Sequence, residues 1–340
     1  MLKIIVVLGP TASGKSELAV KIAKSLPSLH KGEIVSADSR QVYKGLDLVS
    51  GKVEGKWSTN TSHELRIMNY DSEIKKSNSK FIIHDSKDKI IKFFSYKNIR
   101  HHLIDFVPLK KIYTVSDFQK DANKAIVNIL SRNKIPIICG GTGLYIDTIL
   151  GKTFIPSVPP NPKLRKKLLK KTTEKLFAIL SKIDSRRAKN IDEHNPARLI
   201  RAIEIAKAMG KSPAPQKNYE HPKNVLIIGL NPLPEILKNK IHKRLLERIE
   251  DGMIQEIESL QKDKKLTWKR CEELGLECRY IARYLQQKIT KEEMITNLEK
   301  EINNYAKRQK VWFKRDKNIK WFSDPDDPII EKTVKTFILE

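Results

Sequence analysis

Three cysteines in 340 residues, at 139, 271 and 278, are too few and too unevenly placed for a disulfide framework. The step from Cys271 to Cys278 matches none of the usual zinc-ligand spacings. A reducing compartment, the cytoplasm, suits such thiols. Long apolar runs are also missing: nothing approaches the roughly 18 residues that span a bilayer, so no membrane insertion is expected. The apolar run after Met1 stops at Leu8 without a small-residue cleavage site and does not read as an export signal. Negative charge is scarce. Only 40 Asp and Glu face 66 Lys and Arg, a formal net charge of +26. A compact fold that positive repels itself unless a polyanion shares its surface. Nucleic acid is the first partner this suggests and an anionic membrane surface the second; a generally lysine-rich proteome is the plain alternative. The apolar fraction of 39% is modest but well above that of disordered chains. The length allows one large domain or two smaller ones.

What is present has the rhythm of an α/β protein. Residues 2–8 are a β-branched apolar run ended by Gly9-Pro10, the pattern of a buried parallel strand. Ser16 to Leu26 has helical spacing, Ile34 to Ser36 reads as a strand, Val115 to Asn133 as an amphipathic helix and Ile135 to Cys139 as a strand. That order predicts a doubly wound parallel sheet. Two stretches interrupt it. Residues 53–97, rich in Lys, Ser, Asn and Asp, read as an insertion, a hairpin pair or a flap. Residues 154–220 are bracketed by Pro156, Pro159, Pro160 and Pro162 and by Pro213 and Pro215. Between them Asn195-Pro196 marks a helix start and Gly210 a stop. This stretch predicts an inserted helical subdomain, with 16 Lys and Arg against 6 Asp and Glu. The flanking segments, 1–153 and 221–340, form the predicted core: Val225 to Leu230 returns to the sheet, and 235–262, 269–287 and 291–314 are helical. Asp324 to Pro328 reads as a solvated turn.

Gly9-Pro10-Thr11-Ala12-Ser13-Gly14-Lys15-Ser16 fits the P-loop pattern in full, after a strand and at the opening of a helix. Its glycines let backbone N–H groups wrap an anion. The helix terminus adds partial positive charge. Lys15 brings a point charge, and the Ser16 hydroxyl suits Mg²⁺. Such a loop holds a diphosphate or a triphosphate, nucleotides included, and does not itself imply hydrolysis. The strand at 135–139 ends in Gly-Gly-Thr with no magnesium-binding carboxylate, and Asp105 is a minor candidate to substitute for one. His101 and His102, adjacent on a strand, point to opposite faces and read as structural. Asp38 follows the second strand at the sheet's carboxyl edge, where open α/β folds bind ligands. It reads equally as a general base and as a cap for the next turn.

Together with Asp38, further blocks resemble the tRNA dimethylallyltransferases (tRNA isopentenyltransferases) in the same order. They are 9–16; Ser-Ala-Asp-Ser-Arg-Gln-Val-Tyr-Lys-Gly-Leu-Asp at 36–47; His-His-Leu-Ile-Asp at 101–105; and Gly-Gly-Thr-Gly-Leu-Tyr-Ile at 140–146. Asn-Pro-Ala-Arg-Leu-Ile-Arg-Ala-Ile-Glu at 195–204 and Tyr-Ala-Lys-Arg-Gln-Lys-Val-Trp-Phe at 305–313 complete them. The resemblance implies transfer of a dimethylallyl group from dimethylallyl diphosphate to N6 of the adenine beside the anticodon of tRNA. Gly9, Thr11, Ala12, Ser13, Gly14, Lys15 and Ser16 would hold the diphosphate as a leaving group, with Mg²⁺ on Ser16. Asp38 would take the N6 proton. Asp38, Ser39, Arg40, Gln41 and Thr142 would contact the adenine and its neighbours, and Arg198 and Arg201 the anticodon loop.

The helix expected to carry the extra diphosphate cation, Arg248-Ile249-Glu250-Asp251-Gly252-Met253, is about one turn shorter than the family's. Arg248 matches by alignment and Arg244 is its rival. Ser50 stands where the family has threonine. At 305–315 basic residues alternate with Tyr305, Trp312 and Phe313, which suits RNA; core packing of Trp312 and Phe313 is the favoured alternative. A monomer is expected. Competing activities are prenyl transfer to free AMP, a small-molecule P-loop kinase, and a nucleotide-gated RNA-binding protein without catalysis.

Overall fold

The computed structural model describes residues 2–27, 31–60, 91–213 and 219–340. The chain divides into two compact units, Met1–Ile149 with Glu220–Glu340, and Leu150–Tyr219. In the first unit β1 (Ile4–Leu8), α1 (Lys15–Ser25) and β2 (Gly32–Ser36) are followed by β3 (Lys56–Asn60), β4 (Ile91–Tyr96) and β5 (Ile99–His102). Then come α2 (Val115–Leu130), β6 (Ile135–Gly140) and α3 (Gly143–Ile149). The second unit holds α4 (Pro162–Leu168), α5 (Thr173–Ile183), α6 (Ser185–Ala188) and α7 (Pro196–Met209). The chain returns through β7 (Val225–Leu230), α8 (Pro234–Glu250), α9 (Met253–Lys262), α10 (Trp268–Leu274), α11 (Leu276–Leu285) and α12 (Lys291–Phe313). It ends with β8 (Lys320–Phe322) and α13 (Pro328–Leu339).

The eight strands among the described residues share one sheet, ordered β3-β4-β5-β2-β6-β1-β7-β8. From β5 to β8 the pairing is parallel, as β-branched runs without alternating polar residues require. Ile5 and Val7 of β1, Ile137 of β6 and Ile228 of β7 pack against α1 and against Ile330 and Val334 of α13. The alternate residues Val6 and Ile138, fully buried, face the other side, where α2 and α3 lie on β6. Helices on both faces make the sheet doubly wound. β3 and β4 pair antiparallel, Trp57 opposite Phe94, and β4 pairs antiparallel with β5. The two ends of the expected insertion at 53–97 thus form an antiparallel pair, and its central part, 61–90, lies outside the described residues.

Two sequence readings need correction, and one helix went unread. The helical stretch 235–262 is two helices, divided where Gly252 turns to φ +101°. Likewise 269–287 breaks at Gly275, φ +74°. Beyond the turn at 324–328, which is present, the chain forms a helix that was not expected, although Asp327-Pro328 is a cap and first-turn proline like Asn195-Pro196, Asp327 accepting from the Ile329 N–H.

The Leu150–Tyr219 unit has its own core, Leu168, Leu176, Leu180, Leu199 and Ile203. Asn195 caps α7 through the Arg198 N–H, Pro196 is at its first turn and Gly210 at φ +79° ends it, all as the sequence indicated. Buried Glu204 ties α7 to α4 by accepting from Arg165 Nε and Nη2, each at 2.7 Å, and from the Asn161 N–H at 2.8 Å.

A buried ion cluster braces the sheet. Glu33 of β2 receives Arg132 through two hydrogen bonds (2.6 and 2.7 Å), Lys134 (2.7 Å) and His102 (2.8 Å). Burial pushes its carboxyl up, but these partners outweigh it and hold the group far below the usual glutamate range. Because the folded value is depressed, the stabilisation is fully present at neutral pH and is lost as pH falls below the ordinary value near 4.5. Glu33→Gln is expected to cost about 3 kcal/mol at pH 7. Denaturant titrations of both proteins should show that gap narrowing in acid; a pH-independent gap would contradict the assignment.

Candidate active site

β1 delivers the chain into the P-loop with every residue from Ile5 to Leu8 buried. The loop turns on two left-handed residues, Ala12 (φ +60°) and Gly14 (φ +90°). The Ser13 N–H donates to the Pro10 carbonyl at 3.3 Å. Gly9 leaves no room for a side chain, since a Cβ would lie 2.8 Å from the Leu230 carbonyl oxygen. Lys15 opens α1 and folds back, Nζ donating to the Pro10 carbonyl at 3.2 Å. Burial lowers its pKa, with the charges of Cys139 and Asp38 pulling partly back and that of Arg244 adding to the drop. The neighbouring Cys139 thiol, buried and reduced, is pushed up to about 11 by burial. Ser13 Oγ is buried and has no hydrogen-bond partner among the described residues.

Two cavities flank the loop. One, about 140 Å³, is walled by Thr11, Lys15 and Ser16 and by Asp38, Ser39, Arg40 and Gln41. The other, about 550 Å³, is walled by Ala12, Ser13 and Gly14 together with Lys240 and Lys243 of α8. Lys15, Ser16, Gly51 and Arg244 belong to both walls. A ligand could therefore meet the same two cations from either side.

Asp38 caps the turn and also stands in the cavity wall. Its Oδ1 accepts from the Arg40 and Gln41 N–H groups at 2.8 and 3.2 Å, fixing the turn after β2. The residue also lines the smaller cavity, and Oδ2 accepts no hydrogen bond among the described residues. Thr142 supports this turn from behind: its hydroxyl accepts the Ser39 N–H at 3.1 Å, while its own N–H donates to the Ala37 carbonyl.

Of the two arginines on α8, Arg244 is the one in the cavity wall. It donates to the Gly51 carbonyl at 3.0 Å and forms no ion pair among the described residues. Burial, then the charge of Arg248, lowers its pKa. Arg248, the aligned choice, is turned to another task. Its Nε and Nη2 donate to the Leu48 and Val49 carbonyls, both at 2.6 Å, and Nη1 pairs with Glu277 at 3.0 Å. One helical turn separates the two positions, so spacing alone could not rank them.

Asp105 does not reach the loop. Its carboxylate accepts from Lys52 Nζ (2.6 Å), Trp57 Nε1 (2.9 Å) and the Gly45 N–H (3.2 Å). His102 serves Glu33, and His101 is buried with Nδ1 on the Ile99 carbonyl, its pKa lowered to about 4 by burial. Among the described residues no group of three acidic, histidine or cysteine side chains could cage a metal, and no helix is long and apolar enough to cross a membrane.

Sequence reasoning missed Gln309 of α12 and gave its neighbour Tyr305 only a general suitability for RNA. Gln309 accepts the Thr11 N–H at 2.8 Å and donates to the Gly141 carbonyl at 2.9 Å, locking the P-loop to the turn after β6. Tyr305, one turn earlier, lines the smaller cavity. Their four-residue spacing on one helix face was the available signal. Phe313 is core, as favoured. Trp312 donates to Asp147 at 2.9 Å with Arg315 stacked 4.0 Å above its ring.

In the second unit, Arg198 is exposed and 3.8 Å from Asp192. Arg201 is turned inward, donating to the Val158 carbonyl at 2.8 Å and to Glu204 at 3.3 Å.

A family model described as IPP transferase matches residues 91–316. A tRNA dimethylallyltransferase 2 of Treponema denticola is 42% identical over 315 residues, 92% of this chain and 91% of that protein. A tRNA dimethylallyltransferase 1 of Syntrophus aciditrophicus is 37% identical, over 93% and 90%. The crystal structure of a full-length tRNA isopentenylpyrophosphate transferase from Bacillus halodurans superposes with a TM-score of 0.63 at 27% identity, covering 100% of this chain and 96% of that one. With a P-loop, a carboxylate at the sheet edge and this breadth of similarity, the chain belongs to the IPP transferase family, the tRNA dimethylallyltransferases.

Proposed function

We propose that the protein transfers a dimethylallyl group from dimethylallyl diphosphate to N6 of the adenine next to the anticodon of tRNA. The observation that carries this reading is that Asp38, with Oδ2 unengaged, and Lys15 of the P-loop wall the same small cavity. An adenine amine has a delocalised lone pair and is a weak nucleophile. Positioning and a proton acceptor are what it needs. As the new C–N6 bond forms and the allylic C–O bond breaks, the N6 proton passes to Asp38 Oδ2 and diphosphate departs. The charge gathering on the leaving oxygen is met by Lys15, Arg244 and the loop N–H groups. Arg244 rather than Arg248 is assigned this part, because it alone of the pair faces the cavity.

Mg²⁺ fits the donor set. Ser16 offers one hydroxyl beside the space a diphosphate would fill, and magnesium commonly completes its shell with phosphate oxygens and water rather than a protein cage. When bound, it would neutralise diphosphate charge.

Purified protein with labelled dimethylallyl diphosphate should place label in tRNA and not in AMP. Label in AMP alone would overturn the reading, and label in neither would favour a kinase or a binding protein.

The RNA surface is assigned to the Leu150–Tyr219 unit, where Lys163, Lys166, Lys167 and Lys170 are all exposed on or beside α4. Arg198 is available there, whereas Arg201 serves Glu204. Changing the four lysines to glutamine should weaken tRNA binding and flatten its salt dependence, by roughly 0.7–0.9 in logarithmic slope for each phosphate the protein ceases to neutralise. An unchanged slope would move the RNA surface elsewhere.

A further inference from the structure

We infer that Glu256 of α9 is a positioning residue of the diphosphate site, holding residues 47–51 so that Gly51 fixes the guanidinium of Arg244. It accepts three consecutive backbone N–H groups: Asp47 at 2.9 Å and Leu48 at 2.8 Å on Oε2, and Val49 at 3.1 Å on Oε1. Arg248 grips the same segment by the complementary atoms, the Leu48 and Val49 carbonyls. The segment is thus held through both donors and acceptors, and from Val49 to Gly51 it is cavity wall.

There the Gly51 carbonyl accepts from Arg244 Nη2 at 3.0 Å and from Gln41 Nε2 at 3.1 Å. Gly51 has φ +59°, and a Cβ on it would run into the Arg244 guanidinium. The cation therefore lies directly on this backbone, and any shift of the segment moves it. Glu256 itself lines neither cavity. It has no cationic partner among the described residues, and burial raises its carboxyl, the three N–H groups pulling partly back. A half-buried carboxylate answered only by one loop's amides is spent on that loop's register rather than on general packing.

The inference rests on the assignment of Arg244 to the diphosphate, so its test reads diphosphate binding directly. Inorganic pyrophosphate with magnesium is titrated calorimetrically into the full-length protein and its variants. Glu256→Gln presents an NH₂ to backbone N–H groups and should weaken pyrophosphate binding about tenfold, the weight of a charge-assisted hydrogen bond out of register. tRNA affinity should stay unchanged. The double variant with Arg244→Gln should bind no more weakly than Arg244→Gln alone, since one residue acts through the other. Wild-type pyrophosphate affinity in Glu256→Gln, or additive losses in the double variant, would overturn the inference, as would a wild-type protein that binds no pyrophosphate. If Glu256→Gln does not fold, Arg248→Lys carries the same expectation and the same overturning result. A protein that shows this dependence yet prenylates no tRNA leaves the inference standing and removes the proposed function.

Discussion

Asp38→Asn lowers turnover about 10²–10⁴-fold, the usual weight of a general base, while tRNA and pyrophosphate still bind. Asparagine separates the residue's two roles better than alanine. Its carbonyl oxygen can keep the Arg40 and Gln41 N–H bonds that Oδ1 now accepts, so the turn carrying Ser39, Arg40 and Gln41 stays in place. The second position becomes an NH₂, which cannot take a proton from N6. Alanine would also free two turn amides, and the same rate loss could then come from a displaced Gln41. Single-turnover rates with saturating tRNA and dimethylallyl diphosphate give the comparison. A loss of threefold or less would make Asp38 a holder of the turn and nothing more.

What the sequence made legible was local. β-branched runs, a loop bounded by Gly9 and Gly14, and the Asn195-Pro196 and Gly210 signals each specify backbone within a few residues. The sheet core, the P-loop and α7 therefore followed from them. What stayed hidden depends on residues far apart in the chain. Gln309 locks Thr11 across 298 positions, and nothing near either residue signals the partner. β8 is a short strand with Lys320 and Trp321 exposed, so its pattern carries no burial signal. Gly252 sits in a stretch whose apolar periodicity runs through it, and only its left-handed φ reveals the break. The expected RNA contact Arg201 illustrates a general difficulty: a basic residue on a basic unit still turns inward where a buried carboxylate, Glu204, needs it.

Arg244→Gln is expected to lower kcat about 10²–10³-fold, the usual effect of removing one preorganised group from a developing anion. Arg248→Gln should act mainly on diphosphate affinity. The two cations differ in what already answers their charge. Arg248 has Glu277 at 3.0 Å and two carbonyls, so its field is largely spent within the protein. Arg244 has a single carbonyl and no carboxylate in contact among the described residues. Burial and the charge of Arg248 make its ionised form costly, as burial does for Lys15. Two desolvated cations with no carboxylate in contact among the described residues, only the more distant charge of Asp38, are unfavourable in the empty site and favoured beside a polyanion, most of all when the breaking C–O bond adds charge to it. Removing one should therefore leave the ligand-free melting temperature unchanged or raise it while turnover collapses. That pairing distinguishes a catalytic cation from a structural one, whose loss lowers both. Equal kcat losses in the two variants, or a melting point that falls with Arg244→Gln, would return the role to the position sequence alignment favours.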